Sequence, residues 1–148
     1  MLYVKAKLTA MNGDNLAADA PVGPVNLFLH SLFSKVDISL NGTLITTSTN
    51  KYHYRAMIET LLSYGEDAKT SQLTSALFYK DQARTMYSVN VGDNAALRND
   101  GLMKRRVIGS ESREFDMMGR LHADIFFQDR YMLNEIGVNS FAARTHSV

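Results

Sequence analysis

His122-Ala123-Asp124 is the spacing with the greatest chemical potential in this chain. On an extended strand, residues i and i+2 project from one face, so an imidazole and a carboxylate would stand side by side. Such a pair plus a distant histidine is the two-histidine, one-carboxylate set of non-haem iron oxygenases, and His146 is the downstream histidine available to complete it. An alternating strand also accounts for polar side chains at 122 and 124 without any metal, and this simpler account is preferred. A small β-barrel iron-dependent oxygenase stays as an alternative function. His30 lies in an apolar segment and reads as a hydrogen-bonded core residue, whereas His53 opens a helix and is expected at the surface. No HExxH pair occurs, and no two histidines share a helix face by spacing.

Other chemistry has less to stand on. The chain has no cysteine, which excludes a disulfide framework, thiolate metal ligands and a cysteine nucleophile. No G-x-S-x-G surrounds Ser110, and no glycine loop has a phosphate-binding pattern. Lys104-Arg105-Arg106 is a small basic run that reads as a solvated loop. Asn41-Gly42-Thr43 matches a glycosylation acceptor, but the amino-terminal MLYVKAKLTA lacks the order of a secretion signal, so the match is taken as chance. A formal net charge of +1 offers no basic footprint for nucleic acid. No apolar run approaches the roughly 18 residues that would span a bilayer. These readings predict no catalytic residue, no cofactor, no metal, no small-molecule substrate, no membrane span and no specific nucleic acid; the chain is not expected to be an enzyme.

The elements that would position these residues follow from hydrophobic period. At 148 residues, 45% of them hydrophobic and 21% charged, the chain has the size and make-up of one globular domain or part of one. Leu2, Val4, Ala6 and Leu8 alternate with polar neighbours, the mark of a strand with one buried face. Residues 11–23 are rich in Gly, Asn, Asp and Pro and read as a loop. Pro24–Phe33 is apolar and short, and its period leaves strand or helical turn open. Val36, Ile38 and Leu40 form the inner face of a strand ending at Asn41-Gly42, which best tolerates the two positive φ angles of a type I′ turn. That turn pairs Leu40 with Thr43, Ser39 with Leu44 and Ile38 with Ile45, leaving Leu44 on a polar face, either under a neighbouring loop or against a partner.

Tyr54, Met57, Ile58, Leu61 and Leu62 have the spacing of a core-facing helical stripe, with Thr49 or Asn50 as cap and Gly65 as a left-handed stop. Glu66 and Asp67 suit the first turn of a second short helix carrying Leu73, Ala76 and Leu77. Residues 80–112 read as a long connection, with a short strand around Tyr87–Val91. From Phe115 to Phe127 period 2 holds for thirteen residues, with Gly119 as the place for a break. Residues 128–137 read as a turn with a helical or extended tail, and no clear alternation follows Asn134.

Several blocks together resemble one family. Val22–Phe33, the strand Val36–Leu40 with its Asn-Gly turn, and Tyr54–Gly65 followed by Ala68–Leu73 resemble the major capsid proteins of Polinton (Maverick) elements and related adintovirus-like agents. Gly119–Asn134 is similar to later strands of the same domain, and Leu2–Leu8 to an early one. The resemblance implies a mainly β, antiparallel jelly-roll sandwich spanning residues 1–148, the first half of a double jelly roll, with a helical insertion over 51–77. It implies a truncated amino-terminal portion of a structural protein whose partners are copies of itself, as homotrimers, and other capsid proteins. The expected place is the virion, or otherwise inside the cell. A single-jelly-roll, penton-like minor capsid protein is the nearest alternative. Within that frame Asn41 and Gly42 set hairpin register, Tyr54, Ile58 and Leu61 dock the helix, and Leu121, Ile125 and Phe127 fill the sandwich.

Overall fold

A computed structural model of the chain describes residues 1–46, 49–86, 88, 98–132 and 134–144. In chain order the elements are β1 (Leu2–Lys7), α1 (Phe28–Ser31), β2 (Phe33–Leu40), β3 (Thr43–Leu44), α2 (Tyr52–Ser63), α3 (Glu66–Thr70), α4 (Asp100–Gly109), β4 (Glu114–Gly119) and β5 (Val138–Arg144). Antiparallel strands are present as expected, but helix is substantial, 33% against 24% strand. The chain divides into two compact units, Met1–Leu29 with Gly65–Gly119, and His30–Tyr64 with Arg120–Val148. The helical region expected over 51–77 is divided between them, α2 in the second unit and α3 in the first.

In the first unit, β1 pairs antiparallel with β4, from Leu2 opposite Gly119 to Lys7 opposite Glu114. Leu2, Val4 and Ala6 are half-buried and alternate with exposed residues, and opposite them Phe115 and Met117 are buried. The period-2 pattern of both segments therefore marks real strands. Residues 11–23 form the expected loop, pinned by a bridge between Thr9 and Asn15. Gly65 departs from expectation. Its φ is −72°, and it precedes α3 instead of stopping a helix in the left-handed region. The left-handed residue after this helical stretch is Leu77, at φ +59°, following a 3-10 turn over Gln72–Ala76.

The long connection expected over 80–112 contains a ten-residue helix, α4. It has no apolar stripe, and that is why period alone passes over it. Its start is capped by Asn99, whose side-chain oxygen accepts from the amides of Gly101 and Leu102 at 3.1 and 3.2 Å. The buried face carries cations. Arg105, only 2% exposed, donates from Nε to the Pro24 carbonyl (2.9 Å), from Nη1 to the Tyr79 carbonyl (2.7 Å) and from Nη2 to the Asp81 carboxylate (2.7 Å). Arg106 donates to the carbonyls of Ala20 and Ala18. Of the basic run expected to be solvated, Lys104 is exposed, but Arg105 and Arg106 form a clasp on loop carbonyls, buried because each guanidinium finds partners for its N–H groups. Gly101 is required at the start of this helix because a Cβ there would collide with the carbonyl of Lys80. The strand expected at Tyr87–Val91 falls largely outside the described residues.

In the second unit, β2 is the middle strand of a three-stranded antiparallel sheet in the order β3-β2-β5. The Asn41-Gly42 turn forms as expected, with φ +47° and +82°, and it sets Leu40 opposite Thr43 and Ser39 opposite Leu44. The Ile45 amide donates to the Ile38 carbonyl at 2.9 Å, extending the pairing by one step. Asn41 also ties the turn to a distant segment, because its side-chain oxygen accepts from the Gly137 amide at 2.9 Å. Replacing Gly42 with valine is expected to cost about 1–2 kcal/mol, because a β-branched residue is penalised at positive φ. Thermal unfolding of the variant beside the parent chain checks this; an unchanged midpoint would mean that the turn contributes no net stability.

Three further expectations need correction. The thirteen-residue alternation is not one long strand; β4 ends at Gly119 and Asp124–Phe127 forms a 3-10 turn. Leu121 and Ile125 still pack, half-buried, against a cluster of Val36, Ile38, Tyr52 and Ala123. Phe127 does not fill a core; it is 39% exposed and lies under the Arg120 guanidinium, 4.2 Å from ring centroid to Cζ. Second, β5 occupies a segment that shows no alternation. It pairs with β2 from Val138 opposite Leu40 to Arg144 opposite Phe33, with an irregularity at Phe33–Lys35. Backbone pairing holds it, and its side chains remain mostly exposed, so there is no buried face to imprint a period.

The third correction concerns α2. Tyr54, Ile58, Leu61 and Leu62 are 63, 55, 51 and 81% exposed. The buried residues are Tyr52, Ala56 and Thr60, one turn apart each along the opposite stripe. Alanine and threonine are small enough to let the helix lie close to its neighbours, and Tyr52 brings a ring to the cluster. No side chain caps the helix; the capping position is Lys51, and Thr49 and Asn50 take no part in it.

Candidate functional site

The inward face of α2 carries more than packing. Tyr52, Arg55 and Glu59 fall at i, i+3 and i+7, on one side of the helix. Tyr52 Oη lies 3.0 Å from His30 Nδ1 and accepts from the His122 backbone amide at 3.3 Å. With the His30 ring proton on Nε2, the hydroxyl accepts from that amide and donates its own proton to His30 Nδ1. His122 Nδ1 donates to the Glu59 carboxylate at 2.7 Å. The other Glu59 oxygen accepts from Arg55 Nε at 2.6 Å, and Arg55 Nη2 binds the Asp124 carboxylate. The two imidazoles meet edge to face with centroids 4.7 Å apart.

All six side chains belong to the second unit, and both histidines are buried. Burial, with the neighbouring His122 adding to it, pushes His30 down to about 3. Burial also lowers His122, outweighing the Glu59 carboxylate that favours its charged form. Burial pushes the Tyr52 phenol up to about 12. The network thus holds two neutral rings, one phenol and an Arg55 guanidinium bracketed by two carboxylates. A cavity of about 50 Å³ adjoins it, lined in part by Thr46, Thr49, Lys51, Tyr52, Arg55 and His122.

The structure brings His30 and His122 together, a pairing that spacing along the chain does not suggest. It does not assemble His122 and Asp124 as neighbouring ligands. The backbone turns into the 3-10 segment there, His122 is engaged by Glu59 and Asp124 by Arg55. Among the described residues no group of three His, Cys, Asp or Glu side chains is placed to hold a metal ion, and His146 lies outside those residues. His30 is the hydrogen-bonded core residue the sequence suggests. His53, expected at the surface, is half-buried, its ring tilted 44° against that of Tyr54 with centroids 4.2 Å apart. Sequence reading misses Tyr52, Arg55 and Glu59. The one available signal is three polar or amphipathic residues at helical spacing beside an apolar stripe.

A second feature of this unit is its apolar surface. Besides the outward stripe of α2, Leu44 and Ile45 at the end of the hairpin are exposed, as are Val138 and Phe141 on β5. Leu44 is 51% exposed, so among the described residues no loop covers it fully, the simpler of its two readings. Among the described residues no helix is long and apolar enough to cross a membrane.

No family model matches the chain, and no solved structure matches it. It is similar to an uncharacterised protein of Caenorhabditis elegans, 26% identical over 125 residues that make up 84% of this chain and 26% of that protein. The chain spans about a quarter of the length of the relative it matches.

Proposed function

We propose that this chain is a structural, capsid-type protein of jelly-roll ancestry that works by associating with copies of itself. The observation that carries the reading is the outward apolar stripe of α2, where Tyr54, Ile58 and Leu62 are each more than half exposed. Contiguous apolar surface of this kind marks protein interfaces, and burying each such side chain in a contact contributes about 1.5–3 kcal/mol. The exposed Leu44, Val138 and Phe141 add to the same tendency. Antiparallel sheets in both units supply the strand type from which jelly rolls are built, and the resemblance of Tyr54–Gly65 to Polinton-type capsid proteins falls on this very helix. The trimer and the virion are the assembly and the place that the reading implies.

Light scattering coupled to size exclusion tests it at tens of micromolar chain. The expected result is a trimer or larger species, with association weakened at least tenfold in an Ile58→Glu/Leu62→Glu variant. Because both positions are exposed, the variant's thermal midpoint should match the parent's. A parent chain that stays monomeric under these conditions would overturn the proposal.

A further inference from the structure

Two imidazoles are buried ring against ring in the second unit, and each is tied to α2, His30 through the Tyr52 hydroxyl and His122 through the Glu59 carboxylate. We infer that this pair is an acid-operated latch, holding α2 in place while both rings are neutral and releasing it when a ring gains a second proton. The geometry sets the mechanism. Tyr52 Oη accepts from the His122 amide and, in the tautomer with the His30 ring proton on Nε2, donates to His30 Nδ1. A proton arriving at His30 Nδ1 leaves two donors facing each other, so the contact between His30 and α2 must break or reorient. Once both rings are protonated, two positive charges would also stand with their ring centroids only 4.7 Å apart.

The charged groups around the pair do not relieve this. From α2 come Arg55 and Glu59, with Lys51 just ahead of the helix beside the small cavity. From the 120–127 segment come Arg120 and Asp124, the latter held by Arg55. On β2, Lys35 and Asp37 pair with one another at 2.6 Å. Burial is the largest influence on His122 and disfavours its charge, Glu59 favours that charge, and Arg55 and Arg120 add to the effect of burial. Burial and His122 both lower His30, with no opposing charge to raise it.

The sign follows from linkage. A histidine lower in the folded state than its ordinary 6.5 contributes stability that is fully present above about 6.5. That contribution is lost as pH falls toward the folded value, about 3 for His30. Each such ring changes the closed-to-open ratio by up to roughly tenfold per pH unit in that window. The device is independent of the capsid reading, since it concerns opening within one chain.

Amide hydrogen exchange of the full chain between pH 7.5 and 4.5, corrected for intrinsic rates, tests it. The expected result is an opening constant for the amides of α2 that rises roughly tenfold per pH unit below about 6.5. The amides of α4 should change far less. In a His30→Asn variant, whose side-chain oxygen still accepts from Tyr52, the slope should fall below half. Equal slopes in parent and variant, or α2 and α4 opening together, would overturn the inference. Should the variant fail to fold, nuclear magnetic resonance titration of the parent decides. A His30 ring that stays neutral down to about pH 4.5 in the folded chain upholds the latch, and one that titrates near 6.5 ends it.

Discussion

Arg105→Met is expected to lower the unfolding free energy of the chain by about 3–5 kcal/mol, the usual penalty for removing one member of a buried ion pair. Methionine fills much of the volume but supplies no donor. It would strand the carbonyls of Pro24 and Tyr79 and leave the Asp81 carboxylate without its cation. Asp81 keeps a hydrogen bond from Asn99 Nδ2 at 2.8 Å, which limits the loss. The distances explain why the effect is large. One planar fork reaches three acceptors that come from two separate loops, so the guanidinium closes the loop before α1 and the segment after Phe78 onto α4 together. Arg105→Lys should restore less than half of the loss, because a single ammonium cannot span three acceptors in that geometry. Urea unfolding of parent, methionine and lysine chains provides the measurement. A methionine chain within about 1 kcal/mol of the parent would mean that the clasp contributes no net stability.

Tyr52→Phe should cost about 2–4 kcal/mol, although only one oxygen is removed. That oxygen serves two buried groups, the His122 amide and His30 Nδ1. Leaving a buried polar group unsatisfied costs about 1–3 kcal/mol each. Ring packing against Val36, Ile38 and Ala123 is retained, so the loss isolates the hydrogen bonds from the hydrophobic contribution. Chemical denaturation monitored by circular dichroism checks the magnitude. A loss under about 0.5 kcal/mol would show that water replaces the hydroxyl without penalty, and that the polar core of this unit is looser than its distances imply.

The parts of this molecule that are legible in its sequence depend on neighbours in the chain. The Asn41-Gly42 hairpin is decided by backbone sterics over four residues, and its register is the one those residues imply. β1 and β4 each bury one face, so alternation reports them directly. The helix at Tyr52–Ser63 is equally plain, but not the face it buries. Periodicity measures how apolar residues are spaced, and both stripes of α2 share the same 3.6 spacing. Which one turns inward depends on whether polar partners wait there, and His30 and His122 come from 22 and 70 residues away along the chain. The same reason hides α4 and β5. α4 buries arginines whose acceptors lie as far off as Ala18 and Ala20, and β5 is held by backbone bonds that any sequence can make.

The linear chain thus specifies its turns, its one-faced strands and the presence of a helix at 52–63, because these arise from torsion preferences and local spacing. It also sets limits on chemistry through the absence of cysteine and of the common catalytic spacings. The folded chain alone chooses the outward face of α2, brings two histidines into ring contact and turns two arginines of a basic run into a buried clasp. Those outcomes rest on charge and hydrogen-bond pairing across large sequence separation. Such pairing can make burial of a polar residue favourable, which no local hydrophobic pattern expresses.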